Sequence, residues 1–102
     1  MGIFSSVSSK QIDEFAQGLA RELARQLPPK KELKGSQTKK LVIALEGIFA
    51  SALEFRREHK LGVYKKARLG NAFQWELQEQ GYDKRFAEDA AQRLLIYITS
   101  KS

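Results

Sequence analysis

The stretch FRREHKLGVYKKARLGNAFQW, Phe55–Trp75, decides how the chain is folded. Lys60-Leu61-Gly62 reads as the end of one helix, with cations against the negative end of its macrodipole and a glycine available for a left-handed cap. Apolar residues recur at three- and four-residue steps on either side, so a helix over about 38–60 hands over to one over about 63–80. In the first of these, Leu41, Leu45, Ile48, Phe49, Ala52, Leu53 and Phe55 line a broad face, with Ile43 and Ala50 off it. Ala44, Gly47 and Ser51 form a separate strip of small residues that would let another backbone come close. That combination predicts the central helix of the domain.

In the following helix, Val63, Ala67, Leu69, Gly70, Phe73 and Leu77 fall within one arc of about 160° at 100° per residue. Tyr64, Arg68, Asn71 and Trp75 fall roughly opposite, with Lys65 beside them. A helix of a four-helix domain often buries two faces, and interior packing against the first helix is the expectation for Trp75. The alternative is a recognition surface on which both rings are exposed.

Toward the N-terminus, Ser8-x-x-Gln11 is a capping box that opens a helix over about 8–27. Asp13 and Glu14 are expected in its first turn as partners of the macrodipole. Ile12, Phe15, Ala16, Leu19, Leu23 and Leu27 share a face, and Pro28-Pro29 ends the helix. Lys30–Gln37 reads as a polar loop, after which Ser36 or Thr38 can cap the next helix. Toward the C-terminus, Gly81 closes the third helix in the left-handed conformation. Asp83 caps a fourth over about 83–99, with Glu88 and Asp89 near its start and fraying at Thr99–Ser102. No segment alternates with period two, and there is no repeat of 20–50 residues. The prediction is an all-α fold, a single compact domain of four helices in bundle or orthogonal packing. Residues 1–7 are expected as a flexible N-terminal lead-in and 8–102 as the helical domain.

A chain of 102 residues holds one domain, and 42% hydrophobic with 29% charged residues is a globular rather than a disordered composition. There is no cysteine, which excludes disulfides, thiolate chemistry and cysteine-ligated zinc. No apolar run reaches the length of a membrane span, and a cytoplasmic location is the expectation. Met1–Ser6 matches the spacing of an N-myristoylation site, for which a loosely packed lead-in is the commoner reading.

Net charge is +6, and it is concentrated: residues 38–70 carry +5, against +2 before them and −1 after. His59 is the only histidine, expected at a helix end near the last carbonyls. The adjacent acids Asp13-Glu14 and Glu88-Asp89 point about 100° apart and make poor general-acid pairs. No phosphate-loop, dinucleotide or nucleophile-elbow motif occurs, so the expectation is a protein that is not an enzyme and has no metal or cofactor.

What remains is binding. Arg56, Arg57, Lys60, Lys65, Lys66 and Arg68 can meet phosphate, Tyr64 and Trp75 can stack on bases, and Asn71 can read adenine. The second and third helices with their glycine joint also fit a helix-turn-helix loosely, Tyr64, Lys65, Arg68 and Asn71 lying near the start of the recognition helix. The expected function is a small basic helical module that binds nucleic acid or another anionic partner, such as an acidic protein, through residues 56–75. The alternative is a protein–protein or self-assembling module, a homo-oligomer, using the small-residue strip, the outer face of the third helix, Ile43 and Ile96. Membrane-surface binding ranks last, because the third helix lacks a continuous apolar outer face.

Overall fold

A computed structural model describes residues 7–29 and 35–100, with the backbone alone for 35–38. The lead-in at 1–6 with its acylation pattern, most of the polar connector and residues 101–102 lie outside the described residues. Four helices follow one another: α1 Ser9–Gln26, α2 Gly35–His59, α3 Val63–Glu79 and α4 Lys84–Ser100. Among the described residues there is no strand. No helix among them is long and apolar enough to cross a membrane.

The helix ends show how local chemistry sets these bounds. Ser8 Oγ accepts from Gln11 N–H at 3.1 Å while Gln11 Oε1 accepts from Ser8 N–H at 2.9 Å, a complete capping box. Asp13 and Glu14 lie past the first turn of α1, which holds no acid, so they are not macrodipole partners; Asp13 pairs with α3 instead. Likewise Glu88 and Asp89 lie past the first turn of α4, where Asp83 caps by accepting from Arg85 N–H. Asp89 bonds Arg93 one turn on. Helix α2 begins at Gly35, three residues before its predicted start, since nothing in Gly35-Ser36-Gln37 forbids helix. The predicted caps Ser36 and Thr38 therefore lie inside the helix. At the other end α4 holds through Ser100, whose hydroxyl bonds the Ile96 carbonyl, so Thr99 and Ser100 do not fray.

The α2–α3 joint corrects the assignment of its glycine. The left-handed residue is Lys60, at φ 49°, and Gly62 is extended at φ −81° as the N-cap residue of α3. Leu61 N–H reaches back to the Arg56 carbonyl at 3.2 Å, the long bond of a Schellman motif, and buries its side chain as that motif favours. Gly81, at φ 105°, does close α3: its N–H bonds the Gln78 carbonyl and Tyr82 N–H bonds that of Leu77.

Packing places α3, not α2, at the centre. Leu69, Phe73 and Leu77 are fully buried, and α3 packs chiefly against α1 and α4. Burying each such side chain stabilises the fold by about 1.5–3 kcal/mol. Two contacts between α1 and α3, Asp13–Arg68 and Arg21–Glu76, and a third just past their C-terminal ends, Leu27–Tyr82, share one sequence offset of 55 residues. A constant offset of that sign means the two helices run parallel, side by side. Against α4, the backbone of Gly70 lies so close to Leu95 that an added Cβ would stand 2.8 Å from its Cγ. The close approach foreseen for Ala44, Gly47 and Ser51 is therefore made at Gly70.

Helix α2 is peripheral because its apolar residues are spread around it. Ala44, Ile48, Phe49 and Ala52 are buried, whereas Gly47 and Ser51 are exposed and Val42 and Ile43 are 50% and 62% exposed. Phe55 stacks on Phe15 at 4.0 Å and Phe49 contacts Tyr97 at 5.5 Å, tying α2 to α1 and α4. It makes no extended packing with α3, so the chain-adjacent pair does not form a helix-turn-helix unit. Val7, counted with the lead-in, is buried in the core.

Candidate nucleic-acid interface

The residues singled out over 56–75 sit on two structures, the α2–α3 turn and the outer strip of α3. Core residues Leu69, Phe73 and Leu77 fix the rotation of α3, and the residues half a turn away must then face out. Tyr64 is 71% exposed, Trp75 is 66% exposed and Asn71 is exposed. The expectation that Trp75 packs inside is overturned: Phe73 and Leu77 on either side of it are fully buried, and Trp75, about 200° around the helix from each, is turned to the outside. Val63 and Ala67, placed in the apolar arc, are exposed as well, Val63 at 81%. They lie on the first turns of α3, ahead of its first buried residue, Leu69.

Arg68 is half-buried between the rings and does not act as a free cation. Its Nε and Nη2 donate to the two carboxylate oxygens of Asp13 at 3.1 and 2.9 Å, a bidentate pair. Asp13 first, and the Tyr64 hydroxyl after it, hold the guanidinium above its ordinary pKa.

The other cations gather at the turn. Arg57 and Lys60 are exposed, Lys65 and Lys66 half-buried, and Glu58 is the one acid among them in sequence. Arg56 is half-buried, and its Nε is enclosed without a hydrogen-bond partner. His59, the last residue of α2, lays its ring against Phe55 at 4.6 Å. Trp75 is ten residues beyond Lys65, about 15 Å along the helix axis at 1.5 Å per residue. The sequence region thus resolves into a cationic end carrying Tyr64 and a second end carrying Trp75.

The second end is an open groove of about 410 Å³ between α1 and α3. Asp13 and Gln17 line it from α1, and Arg68, Asn71, Ala72, Gln74, Trp75, Glu76 and Gln78 from α3. Asn71 and Gln78 flank Trp75 at i−4 and i+3, so all three share one face. Glu76 lies 4.0 Å from Arg21 and accepts from Gln80 at 3.1 Å. Gln78 was legible as a neighbour of Trp75 by its i+3 spacing, and Gln74 as a neighbour of Gln78 by its i+4 spacing. Asp13 and Gln17 were not, because only the 55-residue register of α1 on α3 brings them here.

Among the described residues no three of His, Asp and Glu converge as metal ligands. In comparisons with known proteins, no protein-family model, no curated protein and no solved structure matches this chain.

Proposed function

We propose that this protein is a non-enzymatic binding module that holds nucleic acid along the α2–α3 turn and the outer strip of α3. The observation that carries the reading is the exposure of Tyr64 and Trp75 on one strip that begins at the cation cluster. Large rings left in water on a helix whose opposite face is core add nothing to the interior. Beside cations they supply the two requirements of nucleic-acid binding, stacking platforms and phosphate contacts.

Phosphate neutralisation releases counterions, so the logarithm of affinity should fall linearly with that of salt between about 50 and 200 mM, by about 0.7 per phosphate contacted for a single strand. Labelled single- and double-stranded oligonucleotides titrated across that range test this. Lys60→Glu at the exposed turn should weaken binding and flatten the slope. No binding at the lowest salt refutes the reading.

A second reading, self-association, is favoured by the exposure of Val42 and Ile43 on α2. Lys39, Ile43, Glu46, Ala50 and Glu54 recur on one outer strip of that helix. A second copy laid antiparallel, with its dyad at Glu46–Gly47, sets Ile43 against Ala50 and Lys39 against Glu54 twice over. Light scattering after size exclusion distinguishes the cases. A dimer lost in Lys39→Glu and regained in Lys39→Glu/Glu54→Lys supports this interface, and a monomer at high concentration removes it.

A further inference from the structure

The charges that line the Trp75 groove cancel locally, and that restricts what the groove can hold. Arg68 is bonded through two nitrogens to Asp13, and Glu76 faces Arg21 and accepts from Gln80. A phosphate gains little there and is better placed at the turn. The remaining polar lining is carboxamide: Gln17, Asn71, Gln74 and Gln78, none of which bonds another side chain among the described residues. A carboxamide presents a donor and an acceptor side by side, the pattern that meets the edge of a nucleobase and adenine best of all. Among them stands Trp75, a residue two-thirds exposed. A flat, uncharged group with mixed donors and acceptors on its edge satisfies all three features at once.

We propose that the groove is a base pocket, in which a single strand lays one base on Trp75 and presents its edge to Asn71 and Gln78, with adenine preferred. The proposal rests on the reading of the α2–α3 turn as the phosphate-binding end, and it adds strandedness and base selectivity to that reading. A duplex is excluded because its base faces are already stacked on one another. The distance from Lys65 to Trp75, about 15 Å along the helix, lets one short stretch of strand engage both ends. Base chemistry is shared by RNA and DNA, so ribo- and deoxyribonucleotide runs form separate arms of the test.

The probes are labelled homopolymer runs of adenine and of cytosine, and a blunt duplex, at low salt. Trp75 is the only tryptophan, so quenching of its emission reports stacking at this groove directly. The adenine run should bind about tenfold more tightly than the cytosine run and quench Trp75. Asn71→Ala/Gln78→Ala should bring the two runs level. Trp75→Ala should weaken both by about tenfold while leaving duplex binding unchanged. Salt-sensitive binding with equal affinity for both runs and the duplex, and no quenching, overturns the base pocket and leaves the electrostatic reading standing. No binding to any probe overturns both.

Discussion

Replacing Gly70 by alanine sets two effects of opposite sign against each other. Glycine in a helix interior is worse than alanine by about 0.8–1 kcal/mol, so the substitution starts with a gain. At this position, however, the new Cβ stands 2.8 Å from Leu95 Cγ, 2.9 Å from Cδ1 and 3.1 Å from Cδ2. Carbon atoms rest at about 3.5–4.0 Å, so α3 and α4 must part or Leu95 must withdraw. The obstruction includes the branch carbon, which cannot swing aside as a chain end can. Overpacking of this kind costs about 1–3 kcal/mol, so the net loss is about 1 kcal/mol, or about 4–8 °C in Tm. Gly18 and Gly47 are internal controls: both are helical, and a Cβ at either meets nothing within 4 Å. Alanine at those positions should stabilise by about 0.5–1 kcal/mol each. Urea unfolding followed by far-ultraviolet circular dichroism measures all three. A Gly70→Ala variant as stabilised as Gly47→Ala would refute the close approach of α3 and α4. Leu95→Ala in the same background should abolish the penalty, which a double-mutant cycle reads as coupling.

Trp75→Ala and Tyr64→Ala should each change stability by less than about 0.5 kcal/mol, the range of ordinary surface positions. Phe73→Ala, at a fully buried ring, should lose about 3–5 kcal/mol in the same urea assay. A loss of that size at Trp75 would mean that the ring is interior. Tyr82→Phe removes the hydroxyl that donates to the Leu27 carbonyl at the end of α1, and should cost about 1 kcal/mol at neutral pH. Burial pushes the Tyr82 phenol up to about 12. The unfolded phenol ionises near 10, so this contribution is complete below about pH 10 and is lost as pH rises to about 12. The difference between wild type and Tyr82→Phe should therefore shrink across that window, and parallel curves would refute the assignment.

Which features were legible in the sequence follows from how local their causes are. The capping box at Ser8 and Gln11, the stop at Pro28-Pro29 and the left-handed turn at Gly81 each depend on a few adjacent residues. All three stand as read. The joint at 60–62 was misread because Lys60 and Gly62 both qualify locally. Burying Leu61 as the residue after the left-handed position selected Lys60. Centrality was misread because richness in apolar residues does not determine where they point. Helix α2 has many, but Val42 and Ile43 face out, whereas Leu69, Phe73 and Leu77 of α3 all point one way. At the candidate site, spacing grouped Tyr64, Arg68, Asn71 and Trp75 correctly. The bond from Arg68 to Asp13 depends on the register of two helices that are not adjacent in the chain, which no local pattern encodes.

In the proposed site that bond separates phosphate contact from base contact, with a measurable consequence. Arg68 is held by Asp13, Lys65 and the exposed Lys60 belong to the turn, and Trp75 with its neighbouring carboxamides lies about 15 Å from Lys65 along α3. Adenine and cytosine runs of equal length offer the same phosphates to the same cations, so the same number of counterions is released on binding either. Raising salt should therefore weaken both in parallel and leave their affinity ratio unchanged. Measuring both runs at several salt concentrations gives the ratio without further variants. A ratio that collapses toward one as salt rises would place the discrimination in the phosphate contacts, through differing strand stiffness, and not at Trp75. A constant ratio that disappears only in Asn71→Ala/Gln78→Ala would place it in the groove.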